Sequence, residues 1–284
     1  MVDPVSSSTT EQLPRPDAPD RRRMPPRLVR RLALTLGLIL AGVLLIVTIG
    51  IDREEPEPSG PPPFVVEELK PPPGATAPRA GLPAPEDRPN ASDIAALDAW
   101  SKKVAGVTQV SARALVAYGR AEMWLRSERP ECRITWVTVA GIARVESQHG
   151  GFGGAQVGVD GKVTKPIIGV PLNGSPGVKA IPDTDGGRLD GDTQWDRAVG
   201  PFQFLPGTWQ RYATRAASDG AVADPQNIDD AAVTAARYLC ASGGDLGTPE
   251  GWWKAVLTYN QSVAYGQDVF SGADAYAAAT ANLR

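Results

Sequence analysis

Histidine occurs once in the 284 residues, as His149, and cysteine only twice, as Cys132 and Cys240. A zinc site of the His/Cys type therefore lacks ligands, and no metal is expected. A Ser-His-Asp or Cys-His hydrolase would have to run through His149, which no nucleophile motif surrounds. From residue 91 onward acids outnumber bases by 20 to 18 with no basic run, which argues against nucleic acid as a partner. Alternating strand patterns are scarce, and only residues 158–170 could give a short hairpin. Internal repeats are lacking too. These absences leave a mainly α fold.

Charge of either sign is missing from residues 32–51, which open on Leu32 and close on Ile51. At about 1.5 Å per helical residue this run spans about 30 Å, the thickness of a bilayer core. Residues 1–31 hold seven arginines against four acids, while Asp52, Glu54, Glu55 and Glu57 follow the run. The positive-inside rule predicts a basic cytoplasmic tail, a single-pass plasma-membrane anchor over 32–51 and everything beyond it outside. The apolar run is too long for a cleaved signal peptide, and no small-x-small site follows it. Residues 52–90 hold twelve prolines and one aromatic, Phe64. Such a segment buries too little apolar surface to offset its ordering entropy, which predicts a disordered, extended spacer reaching roughly 100 Å.

All seven tryptophans and all six tyrosines lie in residues 91–284, enough for one sizeable core. Ser92 is placed to cap a helix carrying Ile94, Leu97 and Trp100, and Ser111 a second with Leu115, Tyr118, Ala121 and Leu125 inside. A third helix is predicted from about Ile134 to Gln148, ended by Gly150-Gly151. Others follow at Pro206, over Asp229 to Leu239, and after Thr248-Pro249.

Glu146 sits near the end of the third helix, on the side of Val139, Ile142 and Ala143. A carboxylate continuing an apolar stripe is costly unless paired, protonated or used in chemistry. That makes Glu146 a candidate general acid, with a surface-edge glutamate as the plainer alternative. Between this helix and Pro206 lie about 55 residues rich in Gly, Pro and Asp, a length uncommon in a loop without function. Asp183, Asp185, Asp190, Asp192 and Asp196 cluster there but fail the calcium-loop spacing, so turn stabilisation or a polar cleft is expected. Cys132 precedes the Glu146 helix and Cys240 ends a later one. A disulfide would staple the two helices, and buried free thiols are the alternative.

Three segments now stand in order: Glu146-Ser147, Gly200-Pro-Phe-Gln-Phe204 and Tyr259-Asn260. Together they resemble the lytic transglycosylases of peptidoglycan, closest to the membrane-bound B-type branch found in actinobacteria, over about residues 95 to 270. The resemblance implies a lysozyme-like helical domain whose long irregular loop lines the cleft. It departs from the family at Phe202, where methionine is usual. By resemblance, Glu146 serves as acid and then as base, cleaving the bond between N-acetylmuramic acid and N-acetylglucosamine to leave 1,6-anhydro ends without water or cofactor. Gln203, Tyr259 and Asn260 would position sugar and acid, Ser147 would orient Glu146 or touch the glycan, and His149 would line the cleft. Phe202, Trp195 and Trp209 are candidates for the apolar wall that keeps Glu146 protonated. Two alternatives stay open: a hydrolytic muramidase with one of the five aspartates as second carboxylate, and a non-catalytic peptidoglycan-binding module.

Overall fold

The structure, a computed structural model, describes residues 63–85 and 94–283. Seven α-helices run through them: α1 (Ile94–Thr108), α2 (Ala112–Glu128), α3 (Trp136–Ser147), α4 (Pro206–Tyr212), α5 (Ile228–Gly243), α6 (Pro249–Tyr259) and α7 (Val263–Thr280). The expected mainly α class is what is found, with only isolated β-bridges among the described residues. The expected hairpin reduces to one antiparallel bridge, Val157 to Val163. The basic tail, the anchor at 32–51 and Ser92 lie outside the described residues. No helix within the described residues is long and apolar enough to cross a membrane.

Helix starts follow local chemistry. Ser111 accepts from the Ala114 amide at 3.2 Å, and Thr248 accepts from the Gly251 amide at 3.1 Å. Each satisfies one of the orphan donors of a first turn. α3 begins two residues later than expected, and its N-cap Thr135 makes no side-chain bond. Instead Glu122, from inside α2, takes the Trp136 amide at 2.7 Å. α2 packs broadly on α5, and α3 on α7. Between them sit Tyr118, Leu125, Trp136, Ile142, Phe202, Leu239 and Trp252, all nearly or wholly buried. Each contributes about 1.5–3 kcal/mol by leaving water. A disulfide joins Cys132 to Cys240, with the Cα atoms 5.5 Å apart and a sequence separation of 108. Closing so long a loop stabilises the fold by about 4–5 kcal/mol in the chain-entropy account.

Helix α7 escaped the sequence reading, although its buried stripe of Tyr265, Val269, Ala273, Tyr276 and Thr280 recurs at helical spacing behind the N-cap Ser262. Two glycines and a serine dilute that stripe. The close approach to α3 is marked on the facing helix: a Cβ on Gly141 of α3 would lie 2.7 Å from the Val269 carbonyl oxygen. Backbones that approach this closely leave no room for side chains.

The spacer requires correction. Residues 63–85 are not a free tether but belong to the same compact unit as the helices. Phe64 stacks on Tyr276 with ring centroids 5.6 Å apart, and Ala77 and Ala84 are buried. Prolines lack the donor that helix and sheet need but keep their carbonyls. The carbonyls of this segment find donors on domain side chains. Trp253 Nε1 donates to Ala75 at 3.0 Å, Gln267 to Pro71 at 3.1 Å and Trp136 Nε1 to Leu82 at 2.9 Å. Composition showed too little apolar surface in the segment, but the partners it needed were elsewhere in the chain.

Candidate active site

The last turn of α3 is where the backbone departs from ordinary geometry. Gln148 and His149 take positive φ of 53° and 60° before Gly150 at 85°. The amides of Gln148 and His149 turn back onto the Arg144 and Ala143 carbonyls, both at 3.0 Å. This is a left-handed helix end built by non-glycine residues, a conformation that persists only where surrounding contacts hold it. Helix α3 thus stops at Ser147, before the glycine pair expected to end it.

Ser147 holds that end in place. It is buried, donates to the Pro201 carbonyl at 2.6 Å and accepts from the Gly150 amide at 2.8 Å. It therefore pins a hairpin to α3. In that hairpin Val199 and Phe204 exchange both backbone bonds at 2.9 Å. Its corner is Gly200, at φ 77°, where a Cβ would lie 1.8 Å from the Pro225 carbonyl oxygen, so no other residue fits. Gln203 also has positive φ, 47°, and its own side-chain amide donates to the Gly200 carbonyl at 3.0 Å.

Glu146 itself is partly buried. Tyr265, from the first turn of α7, donates to its Oε1 at 2.6 Å. Oε2 has no hydrogen-bond partner among the described residues. Burial pushes the carboxyl up from 4.5 to about 7, against the opposing pull of the Tyr265 bond. Tyr259 is second to Tyr265. Its phenol donates to the Phe202 carbonyl at 2.7 Å, and both phenols are held well above 10 by burial and then by the Glu146 charge. Tyr265 was missed by sequence reasoning. Its signal was its place behind Ser262, one turn past the Tyr259-Asn260 pair.

The remaining expected residues divide. Phe202 is wholly buried and meets Tyr118 edge-on at 6.1 Å, so it supports the hairpin from beneath. Asn260 is exposed, and its Oδ1 accepts from the Ser262 amide at 3.2 Å. Its amide nitrogen has no partner among the described residues. Tyr259 continues into a row of rings, 5.5 Å to Tyr238 and then 4.9 Å to Tyr212. Trp209 packs on Phe204 at 5.4 Å. Trp195 is partly exposed in the long loop, bridged to Pro182, and no ring contact or hydrogen bond joins it to Glu146.

His149 is also corrected. Its Nδ1 lies 3.0 Å from the Tyr118 hydroxyl and its Nε2 2.9 Å from that of Tyr276, so both ring nitrogens are taken. Burial, and then the Arg144 charge, lower it to about 4, which keeps the imidazole neutral. It ties α3 to α2 and α7 rather than facing a cleft.

The five aspartates stabilise turns. Asp183 accepts from the amides of Asp185, Gly186 and Gly187, and its carboxyl lies below the ordinary range chiefly for the first of these. Asp185 takes Arg188 and Leu189, Asp190 takes Asp192 and Arg197, and Asp192 takes Gln194 and Trp195. Asp196 takes the amide and hydroxyl of Thr184. Asp183, Asp185 and Asp196 bring carboxylate oxygens within 4.8 Å of one another, which a hard cation could use. Those same carboxylates already serve as turn acceptors. No protein-family model, curated protein or solved structure matches this chain.

Proposed function

We propose that the protein is a peptidoglycan lytic transglycosylase with a lysozyme-like helical domain, held by residues 32–51 on the outer face of the plasma membrane. One observation carries the reading: burial pushes the Glu146 carboxyl up to about 7, with one oxygen fixed by Tyr265 and the other without a hydrogen-bond partner among the described residues. A general acid works best with its pKa near the operating pH. The protonated Glu146 gives its proton to the oxygen between N-acetylmuramic acid and N-acetylglucosamine as the C1–O bond breaks. The C6 hydroxyl of the muramoyl sugar then closes on C1, and its proton returns to Glu146. The anhydro end forms, the enzyme is regenerated, and no water or cofactor is consumed. The substrate's N-acetyl group supports the positive charge at C1.

Neighbouring residues suit this work. Tyr265 holds the carboxyl in one orientation through both proton transfers. Gln203 stands in a hairpin pinned to α3 with a side-chain oxygen that has no hydrogen-bond partner among the described residues, and exposed Asn260 has an amide nitrogen of the same kind to hold a sugar. A muramidase would need a second carboxylate, and the five loop aspartates are each occupied by backbone amides or Thr184. Digestion of purified peptidoglycan with the full-length protein, followed by mass spectrometry of the sugar ends, tests the reading. Anhydro ends that vanish with Glu146→Gln are expected. Reducing ends would establish the hydrolase, and no release would establish a binding module.

A further inference from the structure

Residues 63–85 form a strap across the helices that carry the site. The first half lies on α7. Phe64 stacks on Tyr276, the Leu69 amide donates to Ser271 Oγ at 2.9 Å, and Gln267 holds the Pro71 carbonyl. The middle crosses α6, where Trp253 holds Ala75, and Arg79 donates to the Gly247 carbonyl at 3.2 Å. The last part reaches α2 and the start of α3. There Trp136 holds Leu82, Glu122 accepts from the Ala84 amide at 3.3 Å, and Arg126 donates to the Pro85 carbonyl at 2.7 Å. One short segment thus grips α7, which brings Tyr265, and α3, which brings Glu146.

We propose that this strap is a positioning clamp: it presses α7 onto α3 from outside and so sets the bond between Tyr265 and Glu146. Gln267 lies two residues from Tyr265, and Ser271 one further turn along. α7 closes the fold, ending at Thr280 with only a turn described beyond it. Strap residues meet it at Gln267, Ser271 and Tyr276. The clamp also explains Gly81. A Cβ there would lie 2.4 Å from the Cα and N of Ala281 at the end of α7, so strap and helix are in backbone contact. A passive tether has no need of such contact, and its attachments would not converge on the two helices of one site.

Gly81→Val in the full chain should lift the strap, because the backbone it meets cannot move aside. Three readouts follow. Tryptic cleavage at Arg79 should accelerate about tenfold or more, since cleavage reports local opening. The Glu146 carboxyl, followed by 13C NMR, should move from about 7 in the same upward direction as in Tyr265→Phe, because both lose the bond that lowers it. The double variant should move no further than Tyr265→Phe alone. Should Gly81→Val fail to fold, Gln267→Ala with Ser271→Ala removes two holds without overpacking and should give the same pattern at smaller size. Faster cleavage with Glu146 still at about 7 would overturn the clamp, as would a strap that Gly81→Val leaves protected. Neither cleavage nor titration depends on turnover, so a failure of the transglycosylase reading stays distinguishable.

Discussion

A glutamate meets helix α3 at each end, Glu122 reaching its start from α2 and Glu146 standing in its last turn, and the two are treated in opposite ways. Glu122, at its start, is buried to 2 % exposure and receives the Trp136 amide, the Ala84 amide and the Arg126 guanidinium. Glu146, at its end, receives one phenol and keeps an oxygen in reserve. A buried carboxylate whose oxygens are all taken is a joint, because protonating it would loosen α2, α3 and the strap from one another. A carboxylate with one fixed and one spare oxygen can exchange a proton while staying in place. Burial pushes both carboxyls up, and the count of donors separates them.

That contrast is open to attack from either end. The largest expected effect is on turnover: Glu146→Gln should cut glycan cleavage by about 10²–10⁴-fold, the worth of a positioned acid, with a circular dichroism spectrum like the wild type. Glu122→Ala should act on stability instead, lowering it by about 3–5 kcal/mol in denaturant unfolding, because Arg126 and the α3 amide lose a buried partner. Exchange of these two outcomes would break the comparison.

Tyr265→Phe sharpens it. Loss of the phenol should lower activity by about tenfold, and the alkaline limb of the pH profile should move up, since the Tyr265 bond is what lowers the Glu146 carboxyl. The smallest effect is a gain. The folded protein holds the Glu146 proton up to about 7, whereas the unfolded chain releases it near 4.5. Stability from this group is therefore complete below pH 4.5 and lost as pH rises through 7. Removing the charge with Glu146→Gln should stabilise the protein at pH 8 by about 1–3 kcal/mol, and by much less at pH 4.5. Thermal unfolding at the two pH values measures it.

Much of the frame was legible. Ser111, Thr248 and Pro206 marked helix starts through rules that need only local chain, and the Cys132–Cys240 pairing followed from their places at helix ends. Glu146 could be singled out because an apolar stripe makes a carboxylate conspicuous. What escaped was long-range. The strap's carbonyls are met by Trp136, Trp253 and Gln267, between 54 and 196 residues away in sequence, which composition cannot register. Helix α7 was hidden because two glycines and a serine weaken its pattern. Ser147 and His149 were expected at the cleft for standing beside Glu146, but neighbours on a helix end point in different directions, and both face inward.

The central claim is that Glu146 holds a proton near neutral pH while keeping one oxygen free. Carboxyl-labelled glutamate followed by 13C NMR from pH 3 to 9, assigned by its loss in Glu146→Gln, measures this directly. A Glu146 midpoint at about 7 is predicted. A midpoint near 4.5, the ordinary value for glutamate, would contradict it and leave Glu146 an unexceptional ionised residue at the end of a helix.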